Sequence, residues 1–264
     1  MTRIGEVFQT LDRPAFIAYL VAGDPDRAGF LAAAQAVIEG GADILEIGMP
    51  FSDPVADGPT IQRAHTRALA GGMTVDGFFD SIRDVRRFSE IPILLMVYCN
   101  TVHRRGVERF YREAVAAGAD GMLIVDMPPE EGERAVRAAR VTRLDQIFLA
   151  APSTSDQRLE QVLQSTSGFL YLASLLGVTG ARERLSDEAG TLIRRVRPRT
   201  RLPLAVGFGI SRPEHATALR DAGADGIIVG SALVRLVEEH ARDPGHMARE
   251  IHGFVTGMRG ALEG

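Results

Sequence analysis

Eight times along the chain a continuously apolar run is followed by a stretch long enough for a helix. The runs are PAFIAYLVA (14–22), ILEIGM (44–49), IPILLMVY (91–98), GMLIVD (121–126), QIFLAA (146–151), GFLYLAS (168–174), PLAVGFG (203–209) and GIIVGS (226–231). Continuous apolarity marks strands covered on both faces, and helix-sized returns join parallel neighbours. The same units build open doubly wound sheets. Eight in succession, with no second domain's worth of sequence, favour closure into an α/β fold of the (β/α)8 TIM-barrel type, which takes about 250 residues. The expectation is a single parallel eight-stranded barrel over residues 1–264.

Helices are expected at 2–10, from an Asp26 N-cap to about Gly40, at 60–70 and 75–88, near 104–117, and from Pro128-Pro129 onward. Others should start at Ser155 or Asp156, run over about 187–197, and run from Pro213 to Ala222, with two more closing the chain. The barrel would thus carry an extra N-terminal helix, able to plug one open end, and extra helices after strands two and eight. Gly-Ala-Asp recurs at 41–43, 118–120 and 223–225, each time between a helix and a strand, where glycine ends a helix in the left-handed region.

Composition removes several kinds of chemistry. All 30 basic residues are arginine, so a lysine Schiff base or a lysine-bound pyridoxal cofactor is excluded on this chain. No HExxH or cysteine-pair spacing exists, and His65, His103, His215, His240, His246 and His252 stand singly, as surface or helix-end histidines do; no metal is expected. The net charge of -4 offers no footprint for nucleic acid. No apolar run approaches a bilayer-spanning length and the start lacks the apolar core of a signal peptide, so no membrane association and a cytoplasmic location are expected. The lone Cys99 is read as a small buried apolar residue.

Candidate chemistry concentrates in LEIGMPFSDPVADGP (45–59). Ile44, Glu46 and Gly48 share one face of their strand by the two-residue period. Glu46 therefore sits among apolar neighbours, where a carboxylate either binds a partner or rises in pKa toward the range useful for proton transfer. Pro50, Pro54 and Pro59 stiffen the connection that follows. Asp57 lies eleven residues beyond Glu46, so a loop folding back over the strand end brings both carboxylates to one mouth, unless the pair is a buried structural Glu and an Asp-Gly turn. In an α/β barrel the C-terminal strand ends carry function. Gly207 and Gly209, followed by Ser211 at a helix start, and Gly230 with Ser231 one unit later, permit backbone N–H groups to meet a phosphate, or else form tight turns and an N-cap. The polar connection LLGVTGARERLSDE after strand six is long enough to suggest a functional loop.

Five segments in order, Gly23-Asp24-Pro25, LEIGMPFSDPVADGPTIQ (45–62), YLASLLGVTG (171–180), GFGIS (207–211) and GSA (230–232), resemble the α subunits of tryptophan synthase over almost the full length. The resemblance implies cleavage of indole-3-glycerol phosphate to indole and glyceraldehyde 3-phosphate, with Glu46 as general acid and base and Asp57 accepting the indole N–H. It places Tyr171 beside the substrate and Gly180, Gly209, Gly230 and Ser231 around the phosphate. It makes 176–186 a lid whose Thr179 orients Asp57. No cofactor is implied on this chain, and a pyridoxal-phosphate-dependent β subunit is implied as partner in an α2β2 heterotetramer, docking near Pro50, Asp53, Pro54, Asn100 and Pro128. Departures from the family pattern are Phe169 for a common tyrosine, Leu175 for a frequent arginine, and Tyr19 and Val21 for a phenylalanine and a threonine. Two other readings are a phosphoribosyl-type barrel isomerase, which needs no proline loop bearing Asp57, and a non-catalytic modulating subunit, against which both carboxylates speak.

Overall fold

The computed structural model of the chain describes residues 2–173, 181–207 and 209–263, and for 181–187 the backbone alone. Among the described residues nine strands form one parallel sheet: β1 (Ala15–Val21), β2 (Ile44–Gly48), β3 (Ile93–Val97), β4 (Gly121–Ile124), β5 (Asp145–Ile147), β6 (Leu149–Ala150), β7 (Leu170–Ala173), β8 (Leu204–Gly207) and β9 (Gly226–Val229). Their order is β5-β4-β3-β2-β1-β9-β8-β7-β6. Eight apolar runs yield nine strands because the fifth run breaks at Phe148. Its first part pairs with β4 and its second with β7, so this one run joins the two ends of the sheet and the barrel closes.

Side chains sort by the two-residue period. One set packs outward against the helices, including Phe16, Ala18, Leu20, Leu45 and Ile47. The other fills the barrel: Ile17, Ile44, Leu94, Leu123, Ile147, Phe169, Ala205 and Ile228. The helix Arg3–Thr10, N-capped by Thr2 Oγ1 accepting the Gly5 N–H at 3.1 Å, delivers Ile4 to this inner cluster and sets Phe8 5.5 Å from Phe169. It plugs the N-terminal end of the barrel as expected. Ile4→Ala should lower unfolding stability by about 2–5 kcal/mol, the range for emptying a packed site, read as a reduced urea midpoint with an unchanged slope.

The Gly-Ala-Asp repeat has a physical basis in both outer residues. Gly41, Gly118 and Gly223 adopt φ of +99°, +104° and +89°, which glycine reaches without a Cβ penalty. Each aspartate then stitches its strand to the preceding neighbour. Asp43 Oδ2 accepts the N–H of Phe16 at 2.7 Å, Asp120 Oδ2 that of Ile93 at 2.8 Å, and Asp225 Oδ2 that of Leu204 at 2.7 Å. The reciprocal backbone N–H of each aspartate donates to the carbonyl of the same partner. Three turns of the barrel thus carry the same clasp.

Several helix boundaries differ from expectation. The stretch near 104–117 is two helices, Cys99–Arg105 and Val107–Ala117, divided by Gly106 at φ +87°. Pro129–Glu131 form a single 3-10 turn, and the α-helix begins only at Glu133. Helix Ala181–Val196 starts six residues before the expected 187, because the Ala, Arg, Glu and Leu of ARERL are themselves helix formers. Leu175, Thr179 and Gly180, with the rest of the expected lid before Ala181, lie outside the described residues. Among the described residues no helix is long and apolar enough to cross a membrane.

Candidate active site

Above the apolar layer the barrel interior turns polar. Tyr19 of β1 lies in register beside Glu46 of β2, and Tyr171 of β7 faces the same space. Glu46 is fully buried, and among the described residues neither Oε1 nor Oε2 has a hydrogen-bond partner. Burial, with a smaller contribution from the charge of Asp57, pushes its carboxyl up to about 8. At neutral pH this group holds a proton, so it can act first as an acid.

Asp57 arrives from the opposite direction, on the proline loop. The loop folds back as a turn, with the Asp57 N–H donating to the Pro54 carbonyl at 3.0 Å, and Gly58 then caps helix Pro59–Ala70. Among the described residues two side chains hold the carboxylate. Tyr98 Oη donates to Asp57 Oδ2 at 2.6 Å, and His65 Nε2 lies 3.1 Å from the same oxygen. His65 Nδ1 accepts the Phe51 N–H at 3.2 Å, which puts the ring proton on Nε2 and makes it the donor to Asp57. The ring of Tyr98 stacks on Phe51 at 4.8 Å, and its hydroxyl accepts the Ala56 N–H at 3.2 Å. Burial first, then Asp57, raises the Tyr98 phenol far above its ordinary value, so it remains a donor.

These contacts correct two expectations. His65 is not a surface histidine: it is 2% exposed, on the inner face of its helix. Cys99 is half-buried, not buried: it opens a helix, its N–H donating to Asp126 Oδ1 at 2.7 Å, and keeps the expected apolar role by packing against the outer core.

Glu46 and Asp57 wall one cavity of about 350 Å³, a size suited to a small molecule. Ile61, Met96, Ile210 and Ile228 supply apolar surface, and Tyr19, Tyr171, Gly209, Gly230 and Ser231 are among the other residues that line it. Gly209 stands at φ +76°, and Gly230 precedes helix Ser231–His240, whose first turn has no side-chain cap. Uncapped N–H groups at a helix N-terminus are donors available to an anion. No arginine lines the cavity among the described residues; the donors these offer to an anion are backbone N–H groups and the Ser231 hydroxyl.

The remaining loop residues of this region play different parts. A Cβ at Gly207 would fall 2.3 Å from the Tyr171 hydroxyl, so that glycine makes room for the phenol. Ser211 does not begin the helix: Arg212 is the N-cap, and the Ser211 N–H donates to His215 Nδ1 at 3.3 Å. The sequence reading missed Tyr98 and His65 as partners of Asp57, and Ile61, Met96, Ile210 and Ile228 as walls. Met96 was within reach of it, because β3 pairs Met96 with Gly48, two residues beyond Glu46 on the same inward period.

The chain is similar over its whole length to proteins of known identity. Residues 7–263 match the family described as tryptophan synthase alpha chain. The tryptophan synthase alpha chain of Methanoregula boonei is 51% identical over 100% of this chain and 99% of its own length. That of Methanothermobacter thermautotrophicus is 48% identical over 97% of this chain and 95% of its own. The crystal structure of tryptophan synthase subunit alpha from Legionella pneumophila superposes with a TM-score of 0.92 at 35% identity, covering 100% of this chain and 99% of that one. A chain of the tryptophan synthase complex from Pyrococcus furiosus does so with a TM-score of 0.86 at 40% identity, covering 94% and 98%. With the barrel, the two buried carboxylates and the full-length match in agreement, the chain belongs to the tryptophan synthase alpha chain family.

Proposed function

We propose that this chain cleaves indole-3-glycerol phosphate to indole and glyceraldehyde 3-phosphate, using Glu46 and Asp57. The observation that carries the reading is the pair itself: a buried carboxyl that keeps its proton to about pH 8, across one cavity from a carboxylate anchored by two donors. Glu46 protonates indole C3, forming the C–H bond while the ring nitrogen becomes cationic. Asp57 accepts the N–H hydrogen bond and opposes that charge. The Glu46 carboxylate then takes the proton of the glycerol hydroxyl next to the ring, the carbon–carbon bond breaks, its electron pair returns to the ring, and an aldehyde leaves. Glu46 ends protonated, ready for another turnover, and the indole ring serves as the electron sink.

Gly209, Gly230 and Ser231 would receive the phosphate, Tyr171 would flank the substrate, and Thr179 and Gly180 keep the roles the resemblance assigns. No cofactor is needed on this chain. Indole is neutral and apolar, so its transfer to a pyridoxal-phosphate-dependent β subunit in an α2β2 assembly follows, with the loop bearing Pro50, Asp53 and Pro54 and the strand-end residues Asn100 and Pro128 as the docking face. A cytoplasmic location fits that route.

The test is indole release from indole-3-glycerol phosphate by the purified chain, alone and with its β subunit, beside a phosphoribosyl isomerase assay. Isomerase activity without indole release would overturn the reading. For the phosphate site, Gly209→Val should raise KM about tenfold, because a β-branched residue at positive φ costs on the order of 1–3 kcal/mol and its side chain blocks backbone approach. Affinity for free indole should hardly change, and an equal loss for both ligands would point to misfolding.

A further inference from the structure

The cleavage as proposed gives no task to the phenol of Tyr19. Its side chain is buried, and among the described residues its hydroxyl has no hydrogen-bond partner. Its position is specific. A Cβ at Gly48 would lie 2.1 Å from the Tyr19 hydroxyl, so only glycine there leaves space for that oxygen. At the other end of the side chain, a Cβ at Gly230 would lie 3.2 Å from Cδ1 of the ring. Tyr19 therefore spans the interval from the anion-binding helix start to the strand that bears Glu46.

An unsatisfied buried hydroxyl costs about 1–3 kcal/mol, and phenylalanine would fill the same volume without that cost. With no partner among the described residues, this hydroxyl has the cavity that Tyr19 lines as the place from which one can come. A substrate with its phosphate at Gly230 and its ring between Glu46 and Asp57 presents its glycerol hydroxyls at the intermediate level. We propose that the Tyr19 hydroxyl hydrogen-bonds the glycerol hydroxyls of the substrate and so selects the hydroxylated side chain. The inference rests on the cleavage reading above and adds to it a specificity-determining residue. Burial, then the nearby carboxylates Asp57 and Glu46, raise the phenol well above its ordinary pKa. It keeps its proton and serves as a donor, never as a base.

The experiment compares Tyr19→Phe with the unmodified chain on two ligands. One is indole-3-glycerol phosphate. The other is indole-3-propanol phosphate, which has the same ring and phosphate but neither hydroxyl. The variant should lose about tenfold in kcat/KM for the first, as a lost hydrogen bond of about 1.4 kcal/mol implies. Its affinity for the second, measured by calorimetry, should change less than twofold, and its ligand-free thermal midpoint should not fall. Equal losses on both ligands, an unchanged kcat/KM, or a lowered midpoint would overturn the contact. No indole release by the unmodified chain rejects the reaction itself, whereas release with an unaltered variant rejects only the role of Tyr19.

Discussion

Glu46→Gln should reduce indole release by about 10²–10⁴-fold, the usual contribution of a positioned acid and base, with little change in KM. Glutamine keeps the size of the side chain and cannot transfer the proton, so near-normal turnover would remove Glu46 from the mechanism. In the unmodified chain turnover should fall as pH rises through about 8, where the acid form disappears. Stability gives an independent check. The folded chain holds a proton on Glu46 up to about 8, whereas the ordinary value is 4.5. Between those values the folded state binds more protons than the unfolded one, so stability falls as pH rises, by up to about 1.4 kcal/mol per pH unit. Glutamine lacks this dependence. Relative to the unmodified chain the variant should gain stability across that interval, and parallel pH–stability curves from denaturant titrations would show that Glu46 is not held protonated by burial.

Asp57→Asn should lower turnover by about 10²–10³-fold, comparable with losing a preorganised group aimed at developing charge. The amide removes the negative charge proposed to oppose the cationic indole nitrogen. It also sets an NH2 group among donors, since Tyr98 and His65 both donate to Asp57 Oδ2. If the amide oxygen keeps those two bonds, the fold survives and the loss falls on kcat. Single-turnover measurements with the substrate at saturation separate the two effects. Loss confined to KM would mean that Asp57 binds the substrate without stabilising the transition state.

Residues close in sequence account for what was legible before the structure. Alternating strands and helices, the Gly-Ala-Asp turns and the inward placement of Glu46 each depend on a period or a turn only a few residues long, and the barrel bears all three out. Helix limits were less legible. The helix expected over about 187–197 begins at Ala181, because the helix formers before residue 187 extend it by more than a turn.

By itself the sequence determined the parallel barrel, its N-terminal plug and the strand end from which Glu46 faces inward, because these follow from local patterns of apolarity and turns. Tertiary structure alone decided which groups meet. Asp57 is 41 residues from Tyr98, and no short-range pattern records that bond. His65 looked like any helix histidine until the folded-back proline loop placed Phe51 on one ring nitrogen and Asp57 on the other. Phe148 divides the fifth run because that segment alone must pair with both ends of the sheet. The raised pKa of Glu46 and the Tyr19 hydroxyl left without a partner among the described residues are likewise products of closure, since desolvation depends on every wall of the cavity at once.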